Sequence, residues 1–184
     1  AKYQDRDILP MWVADTDFVS PEPVLTALHA RVNHGVFGYN LPPSALSETL
    51  CGRMRTLYNW HIKPEWIIYL PGLVSALHIA ALAMAKHGDH VLVPKPIYPP
   101  FVSAISRAGC TQVDMPMRLQ VNNNLPPRWL PAINQFKQQA AASTLMFLCN
   151  PHNPGGTVYR HDELLALHRI AHANGLTVCS DEIH

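Results

Sequence analysis

Polar residues suited to ligand chemistry follow two apolar runs near the end of the chain. The run LMFLC is followed by NPHNPGG, and the run LTVC by SDEIH. Both runs are continuously apolar, which is typical of parallel strands buried on both faces. Because open α/β sheets bind ligands at the carboxyl ends of their strands, we predict a site built from Asn150, Asn153, Ser180, Asp181 and His184. In the alternative interpretation, Asp181 is a helix cap and NPHNPGG is a tight turn.

The residues between these two runs have helical apolar spacing, so 145–184 is predicted to form one βαβ unit. A second feature lies upstream, where Pro71-Gly72 joins a predicted strand, 66–70, to a predicted helix, 74–86. A helix entered in this way directs free N–H groups and the positive end of its dipole toward the sheet edge, where an anion could bind. A plain turn is the alternative, because neither G-x-G-x-x-G nor a P-loop is present.

The segment PKPIYPPF follows a third predicted strand, 91–93. Its prolines restrict the loop and would hold the Tyr98 ring in a fixed place, where a planar ligand could stack on it. Packing of Tyr98 on the core is the alternative.

The remaining pattern predicts helices separated by short connections. A first helix begins with Ser20 as N-cap and stops near Gly35. The other predictions are a strand over 111–115, a polar loop over 118–128, and helices over 44–58, 101–108 and 130–141.

Composition indicates a globular protein that acts on small molecules. Of the 184 residues, 48% are hydrophobic and 15% charged, and the net charge of +1 comes without a basic stripe. Nucleic acid and anionic membrane surfaces are therefore not expected partners. No apolar run approaches the ~20 residues of a membrane span, and the first residues do not resemble a signal peptide. We expect a cytoplasmic location.

Neither the cysteines nor the histidines form a recognisable metal motif. The four cysteines lack C-x-x-C spacing and are expected to be reduced core thiols. Among the eleven histidines no pair shows a compact ligand motif; His168 and His172 are one helical turn apart on the predicted helix between the two strands. We expect no metal site.

The motifs in order resemble the pyridoxal-phosphate enzymes of the aspartate aminotransferase fold (fold type I). Within them the chain is similar to the cystathionine β-lyase, or C–S lyase, branch of the class I/II aminotransferases, the PatB/MalY type. The matching stretches are LPMWVADTDF, HGVFGYN, PGLVSAL, PIYPPF, NPHNPGG and SDEIH. The resemblance implies a three-layer α/β fold with a mostly parallel sheet. It also implies a division into 1–43, the N-terminal segment of the small domain, and 44–184, an incomplete large cofactor-binding domain.

The resemblance also implies a role for each matching residue. Asp181 would pair with the pyridine nitrogen of pyridoxal 5'-phosphate, Asn153 and His184 would approach its phenolic oxygen, and Tyr98 would stack on its ring. Backbone groups of Leu73 and Val74 would hold the phosphate. In the N-terminal segment, Tyr39 would contact the cofactor of the neighbouring subunit in a homodimer. Ala14 and Asp15 would line the substrate pocket.

The chain departs from the family by lacking the lysine that forms the Schiff base, which in relatives lies beyond the equivalent of His184. Of its five lysines only Lys95 lies at a predicted strand end, in a loop that matches a non-catalytic segment. We interpret the chain as a fragment, cut at both ends, of a protein about twice as long. As given, it is expected to be inactive.

The predicted activity of the intact protein is α,β-elimination from cystathionine or cysteine S-conjugates, giving thiol, pyruvate and ammonia. An aminotransferase is the first alternative, because the same electron withdrawal from the substrate's α-carbon supports both reactions. The second is a truncated, catalytically incompetent fragment of this fold. A generic nucleotide-binding domain is disfavoured, because no Gly-rich fingerprint follows a strand.

Overall fold

The computed structural model describes residues 7–9, 11, 13–122 and 124–184. The chain forms two compact units, Ala1–Pro64 and Glu65–His184. The predicted division after residue 43 concerns the domains of the intact protein and stays a prediction. Pro10 and Trp12 of the motif LPMWVADTDF lie outside the described residues.

The first unit contains two helices, α1 (Glu22–His34) and α2 (Ser44–Tyr58). Pro21, not the predicted Ser20, occupies the N-cap of α1, and no side chain caps the helix. The helix ends where predicted, because Gly35 adopts a left-handed conformation with φ 74° that favours glycine. None of the described residues of this unit is buried.

The second unit is built on a five-stranded sheet of order β3-β2-β1-β4-β5. Its strands are β1 (His90–Lys95), β2 (Thr111–Asn122), β3 (Leu125–Pro131), β4 (Leu145–Cys149) and β5 (Thr177–Asp181). All neighbouring pairs are parallel except the β2–β3 hairpin. The predicted mostly parallel sheet is confirmed, and β4 is buried throughout as predicted. The second apolar run, in β5, was also expected to be buried on both faces; this is wrong, because β5 is an edge strand and Val178 is 43% exposed.

Helices cover both faces of this sheet and give the predicted three layers. Helices α3 (Leu73–Met84) and α4 (Pro99–Arg107) enclose one core, in which Phe101 packs edge-to-face on Phe147 at 5.5 Å. Helices α5 (Ile133–Ala140) and α6 (His161–Ala173) enclose the second core on the opposite face, around Phe136 and Leu167.

Two of the element predictions are wrong. The apolar run 66–70 is not a strand: a 3-10 turn, Pro64–Trp66, is followed by irregular chain in which Ile68 is 79% exposed. The run pairs with no described strand, so its apolar character alone does not make it a strand.

The polar segment 118–128, predicted as a loop, is most of the β2–β3 hairpin. Pro126 and Pro127 suggested a loop because proline cannot donate to a sheet. They are tolerated because β3 is an edge strand and the pairing register shifts between Gln120 and Asn122, opposite these prolines.

Among the described residues, no helix has the length and apolar character to cross a membrane. The same part of the chain contains no group of three or more His, Cys, Asp or Glu side chains placed to hold a metal ion.

Candidate functional site

The two polar clusters predicted at strand ends are neighbours at the carboxyl edge of the sheet. Cys149 and Asp181 are paired in the parallel register of β4 and β5. One residue further on, the Asn150 N–H donates to the Asp181 carbonyl at 2.9 Å. The loop NPHNPGG and the motif SDEIH are therefore joined by backbone pairing.

The Asp181 side chain lies on the sheet face that α3 and α4 cover. Side chains alternate along a strand, and Cys179, two residues earlier, packs against the core beneath these helices. Burial raises the pKa of the Cys149 thiol, and the nearby Asp181 carboxylate raises it further. The same two causes, in the same order, raise the pKa of Cys179.

The Asp181 carboxylate has one oxygen left for another partner. Asp181 is half-buried, and its Oδ1 accepts the Ile183 N–H at 3.1 Å in a local turn that does not use the second oxygen.

The NPHNPGG loop is closed by its own hydrogen bonds. Asn150 Oδ1 accepts the Tyr159 N–H at 3.1 Å, so this asparagine fastens the loop to the chain that leads into α6. Inside the loop, the His152 N–H donates to the Thr157 carbonyl and the Gly156 N–H to the His152 carbonyl, both at 2.7 Å. The loop is thus a fixed structure, and the tight-turn interpretation describes its backbone correctly.

His152 is buried beneath this loop and holds its backbone, although it is not among the residues predicted for the site. Its side chain is 2% exposed, and Nδ1 accepts the Gly155 N–H at 3.2 Å. Burial lowers the pKa of His152, and the nearby Pro96 carbonyl partly opposes this effect. Nε2 is buried and forms no hydrogen bond with any described residue. No sequence signal distinguishes this histidine from the ten others.

Gly155 is required by a close approach. A Cβ at this position would lie 2.6 Å from His152 Nδ1 and 2.9 Å from Trp129 Cδ1. Both neighbouring side chains are rings, so neither could move away from a Cβ at position 155 without shifting as a whole.

Helices α3 and α4 both begin at this carboxyl edge. Helix α4 follows β1 directly, with Tyr98 at its N-cap. Helix α3 leads into the start of β1 through the short connection 85–89 and spans about 18 Å, close to the ~20 Å of the strand. Its first turn therefore lies at the opposite, carboxyl edge. This brings the predicted anion-binding turn and Tyr98 to the same edge and the same face as Asp181.

The start of α3 offers backbone donors to a ligand. Its first N–H groups, those of Leu73, Val74 and Ser75, have no partner within the helix, because the Gly72 carbonyl accepts the Ala76 N–H at 3.1 Å. No side chain caps the helix. The positive end of the helix dipole adds to these donors, so the turn is suited to an anion such as a phosphate group. The predicted preceding strand, however, is absent.

The other residues predicted for this edge differ in their surroundings. Tyr98 is 41% exposed, so it is not a core residue, and its carbonyl accepts the Phe101 N–H at 3.2 Å. The Asn153 N–H donates to the Cys149 thiol at 3.4 Å, while its side-chain amide forms no hydrogen bond with any described residue. His184 is exposed.

Ala14, Asp15 and Tyr39 belong to the first unit. All three are exposed, and Asp15 Oδ1 accepts the Thr16 N–H at 2.9 Å. Their predicted roles in the substrate pocket and in the neighbouring subunit's site stay predictions.

Lys95 leans toward β2, on the side of β1 away from Asp181. Its Nζ lies 3.7 Å from Asp114 Oδ1 of β2, whereas β5 lies two strands away in the opposite direction. This placement agrees with the expectation that Lys95 does not replace the missing lysine.

A cavity of about 210 Å³ lies on the other face of the sheet, between the β2–β3 hairpin and α6. Tyr159, Asp162 and Glu163 are among its lining residues. It shares no residue with the predicted site.

Taken together, the carboxyl edge offers a half-buried carboxylate, an unpaired amide, an aromatic ring and a turn with free N–H groups. These groups fit the parts of pyridoxal 5'-phosphate: a basic ring nitrogen, a phenolic oxygen, a flat ring and a phosphate. This set of groups contains no amine that could bond covalently to the cofactor.

Comparison with known proteins identifies the family of the chain. The family described as "Aminotransferase class I and II" matches residues 15–184. The cystathionine β-lyase PatB of Bacillus subtilis (strain 168) is 38% identical over 182 residues, covering 97% of this chain and 45% of that protein. The chain therefore spans less than half the length of this relative.

Solved structures also resemble this chain, over 95% or more of its length. The structure of OvoB is similar with a TM-score of 0.88 and 43% identity, covering 100% of this chain and 47% of that one. The pyridoxal-phosphate-bound C–S lyase from Staphylococcus hominis has a TM-score of 0.83 and 29% identity, covering 95% of this chain and 44% of that one.

Proposed function

We propose, from the premise that this chain belongs to the aminotransferase class I and II family, that the intact protein is a pyridoxal-phosphate-dependent C–S lyase. Its reaction would be α,β-elimination from cystathionine or a cysteine S-conjugate, giving thiol, pyruvate and ammonia. One observation carries the proposal: the pairing of Asn150 with Asp181 fixes a carboxylate beside the NPHNPGG loop, on the face where α3 and α4 begin. The similarity to a cystathionine β-lyase and to a C–S lyase supports the reaction type.

Asp181 would keep a proton on the ring nitrogen of the cofactor. The ionised carboxylate favours the protonated ring, and its half-buried position makes the pairing stronger than it would be in water. When bound, the cofactor supplies a ring that withdraws electrons from the substrate's α-carbon. A neutral residue at position 181 would weaken that withdrawal.

The other residues of the edge would bind and orient the ring. The Asn153 amide would donate a hydrogen bond to the phenolic oxygen, with His184 nearby, and Tyr98 would stack on one face. The N–H groups at Leu73 and Val74 would bind the phosphate without a hydroxyl or a cation. His152, buried behind the loop, would hold Asn153 in place, because it fixes the backbone on both sides of that residue.

The intact protein would be a homodimer with shared active sites. Tyr39 would reach the phosphate bound by the neighbouring subunit, and Ala14 and Asp15 would line the pocket of a small amino-acid substrate. We place the enzyme in the cytoplasm, which agrees with four cysteines that are all unpaired.

The proposal is tested with the full-length protein loaded with pyridoxal 5'-phosphate. Cystathionine or S-methylcysteine should give pyruvate and thiol in equal amounts, without an added keto acid. Amino transfer that requires a keto acid, with no thiol released, would instead assign the aminotransferase alternative, which the family as a whole supports.

The truncated alternative is tested by comparing the chain 1–184 with the full-length protein under the same conditions. Turnover by the short chain would contradict the expectation that its own lysines cannot serve. A full-length protein that neither binds the cofactor nor releases thiol would refute the proposal itself.

A further inference from the structure

We propose that His78 is a positioning residue that connects the first turn of α3 to Ser103 of α4 and holds the starts of both helices ready for the cofactor. The inference rests on the proposed function, because it assigns a task to a residue outside the set that would touch the cofactor. His78 Nδ1 lies 2.8 Å from the Val74 carbonyl, and His78 Nε2 lies 3.4 Å from Ser103 Oγ. One ring thus bridges two helices at residues 25 positions apart in sequence.

The partners fix part of the proton arrangement. A carbonyl oxygen only accepts, so His78 Nδ1 donates to the Val74 carbonyl. The Ser103 hydroxyl has one proton, which it donates either to His78 Nε2 at 3.4 Å or to the Pro100 carbonyl at 2.9 Å. The link between the two helices is therefore the contact of His78 with Ser103, and Ser103 lies one turn further along α4 than Tyr98 and Pro100.

The first consequence concerns the phosphate turn. The Val74 carbonyl and the Ser75 N–H belong to the same planar peptide group. A side chain that holds this carbonyl also fixes the direction of the Ser75 N–H, one of the donors that α3 leaves free.

The second consequence concerns the stacking ring. Tyr98 is the N-cap of α4, and its carbonyl accepts the Phe101 N–H. Ser103 lies one turn further along the same helix, so the helix backbone connects it to Tyr98. The link through His78 therefore restrains the distance between the Tyr98 turn and the phosphate turn before any ligand binds. Such restraint strengthens binding, because less ordering remains to be done when the ligand arrives.

The test measures the dissociation constant of pyridoxal 5'-phosphate for the full-length protein, by quenching of intrinsic fluorescence on titration into the cofactor-free form. His78→Asn keeps an amide donor near the Val74 carbonyl but cannot reach Ser103, and Ser103→Ala removes the hydroxyl. Each change is expected to weaken cofactor binding by about fivefold, the typical effect of one net hydrogen bond. The double variant should bind no more weakly than the weaker single variant, because both changes break the same link.

Two matched variants separate positioning from general damage. Ser103→Thr keeps the hydroxyl and should bind the cofactor as the wild type does. His168→Asn makes the same substitution at an exposed histidine of α6, whose ring lies near that of His172, and should leave binding unchanged.

The outcomes distinguish this inference from the proposed function. Wild-type affinity in both His78→Asn and Ser103→Ala would overturn the inference while leaving the proposed function in place. So would effects that add in the double variant, or effects fully matched by loss of stability of the cofactor-free protein. A wild-type protein that shows no cofactor binding would overturn both.

Discussion

The sharpest prediction concerns Gly155, the glycine packed between two rings. In Gly155→Ala the new methyl group would lie 2.6 Å from His152 Nδ1 and 2.9 to 3.0 Å from Trp129 Cδ1 and Cβ. The His152 ring is 2% exposed, so it has no solvent-filled space to move into. Overpacking of this kind costs about 3 kcal/mol in a rigid surrounding, and the lower backbone entropy of alanine in the unfolded chain offsets roughly 0.5 to 1 kcal/mol. We therefore expect a net loss of about 2 kcal/mol in the free energy of unfolding.

The assay is urea unfolding of the full-length variant and wild type, with the cofactor removed. Gly52→Ala is the matched control, because a Cβ at Gly52 meets no atom within 4 Å and the residue lies inside α2. Alanine favours a helix over glycine by about 1 kcal/mol, so this control should unfold at the same or a higher urea concentration.

A Gly155→Ala protein as stable as the wild type would refute the packing of His152 and Trp129 against this glycine. Because the same loop carries Asn153, we also expect weaker cofactor binding in Gly155→Ala. A destabilised variant with unchanged cofactor affinity would show that the loop does not hold Asn153 in its binding position.

Three further predictions test separate parts of the site and its support. Asp181→Asn should lower thiol release by the full-length enzyme on the order of a hundredfold, as loss of a preorganised charge does, whereas Asp114→Asn should change it little. Lys95→Ala should retain activity, because Lys95 pairs with Asp114 away from the site; loss of the covalent cofactor band in its absorbance spectrum would contradict this. Arg128→Met should cost about 2 kcal/mol in urea unfolding at neutral pH, because it breaks a paired contact of 2.5 and 2.8 Å with Glu163. The Arg128 hydrogen bond lowers the pKa of Glu163 below 4.5, so this stabilisation is present above about pH 4.5 and is lost as the pH falls through the lowered pKa. The difference between wild type and Arg128→Met should therefore shrink in acid, and a constant difference would contradict the assignment.

The local predictions that held are those in which one short segment carries its own signal. The run LMFLC was predicted to be a buried strand because it is apolar throughout, and every residue of β4 is buried. The run 66–70 has a similar composition, yet it pairs with no described strand and is largely exposed. The hairpin was missed for the opposite reason, because the segment 118–128 is polar and β3 contains Pro126 and Pro127, which an edge strand tolerates.

The sequence by itself determined where β4 ends, because its apolar run stops at Asn150 and Pro151, whereas it ended the other parallel strands two to seven residues early. It thereby placed Asp181 and the NPHNPGG loop at the carboxyl edge, and the order of its motifs identified the family. Only the tertiary structure decided which sheet face each side chain occupies, how His152 is buried behind its loop, and that His78 meets Ser103. Those contacts join residues far apart in the chain, and their energies depend on burial and on distances that no local pattern encodes.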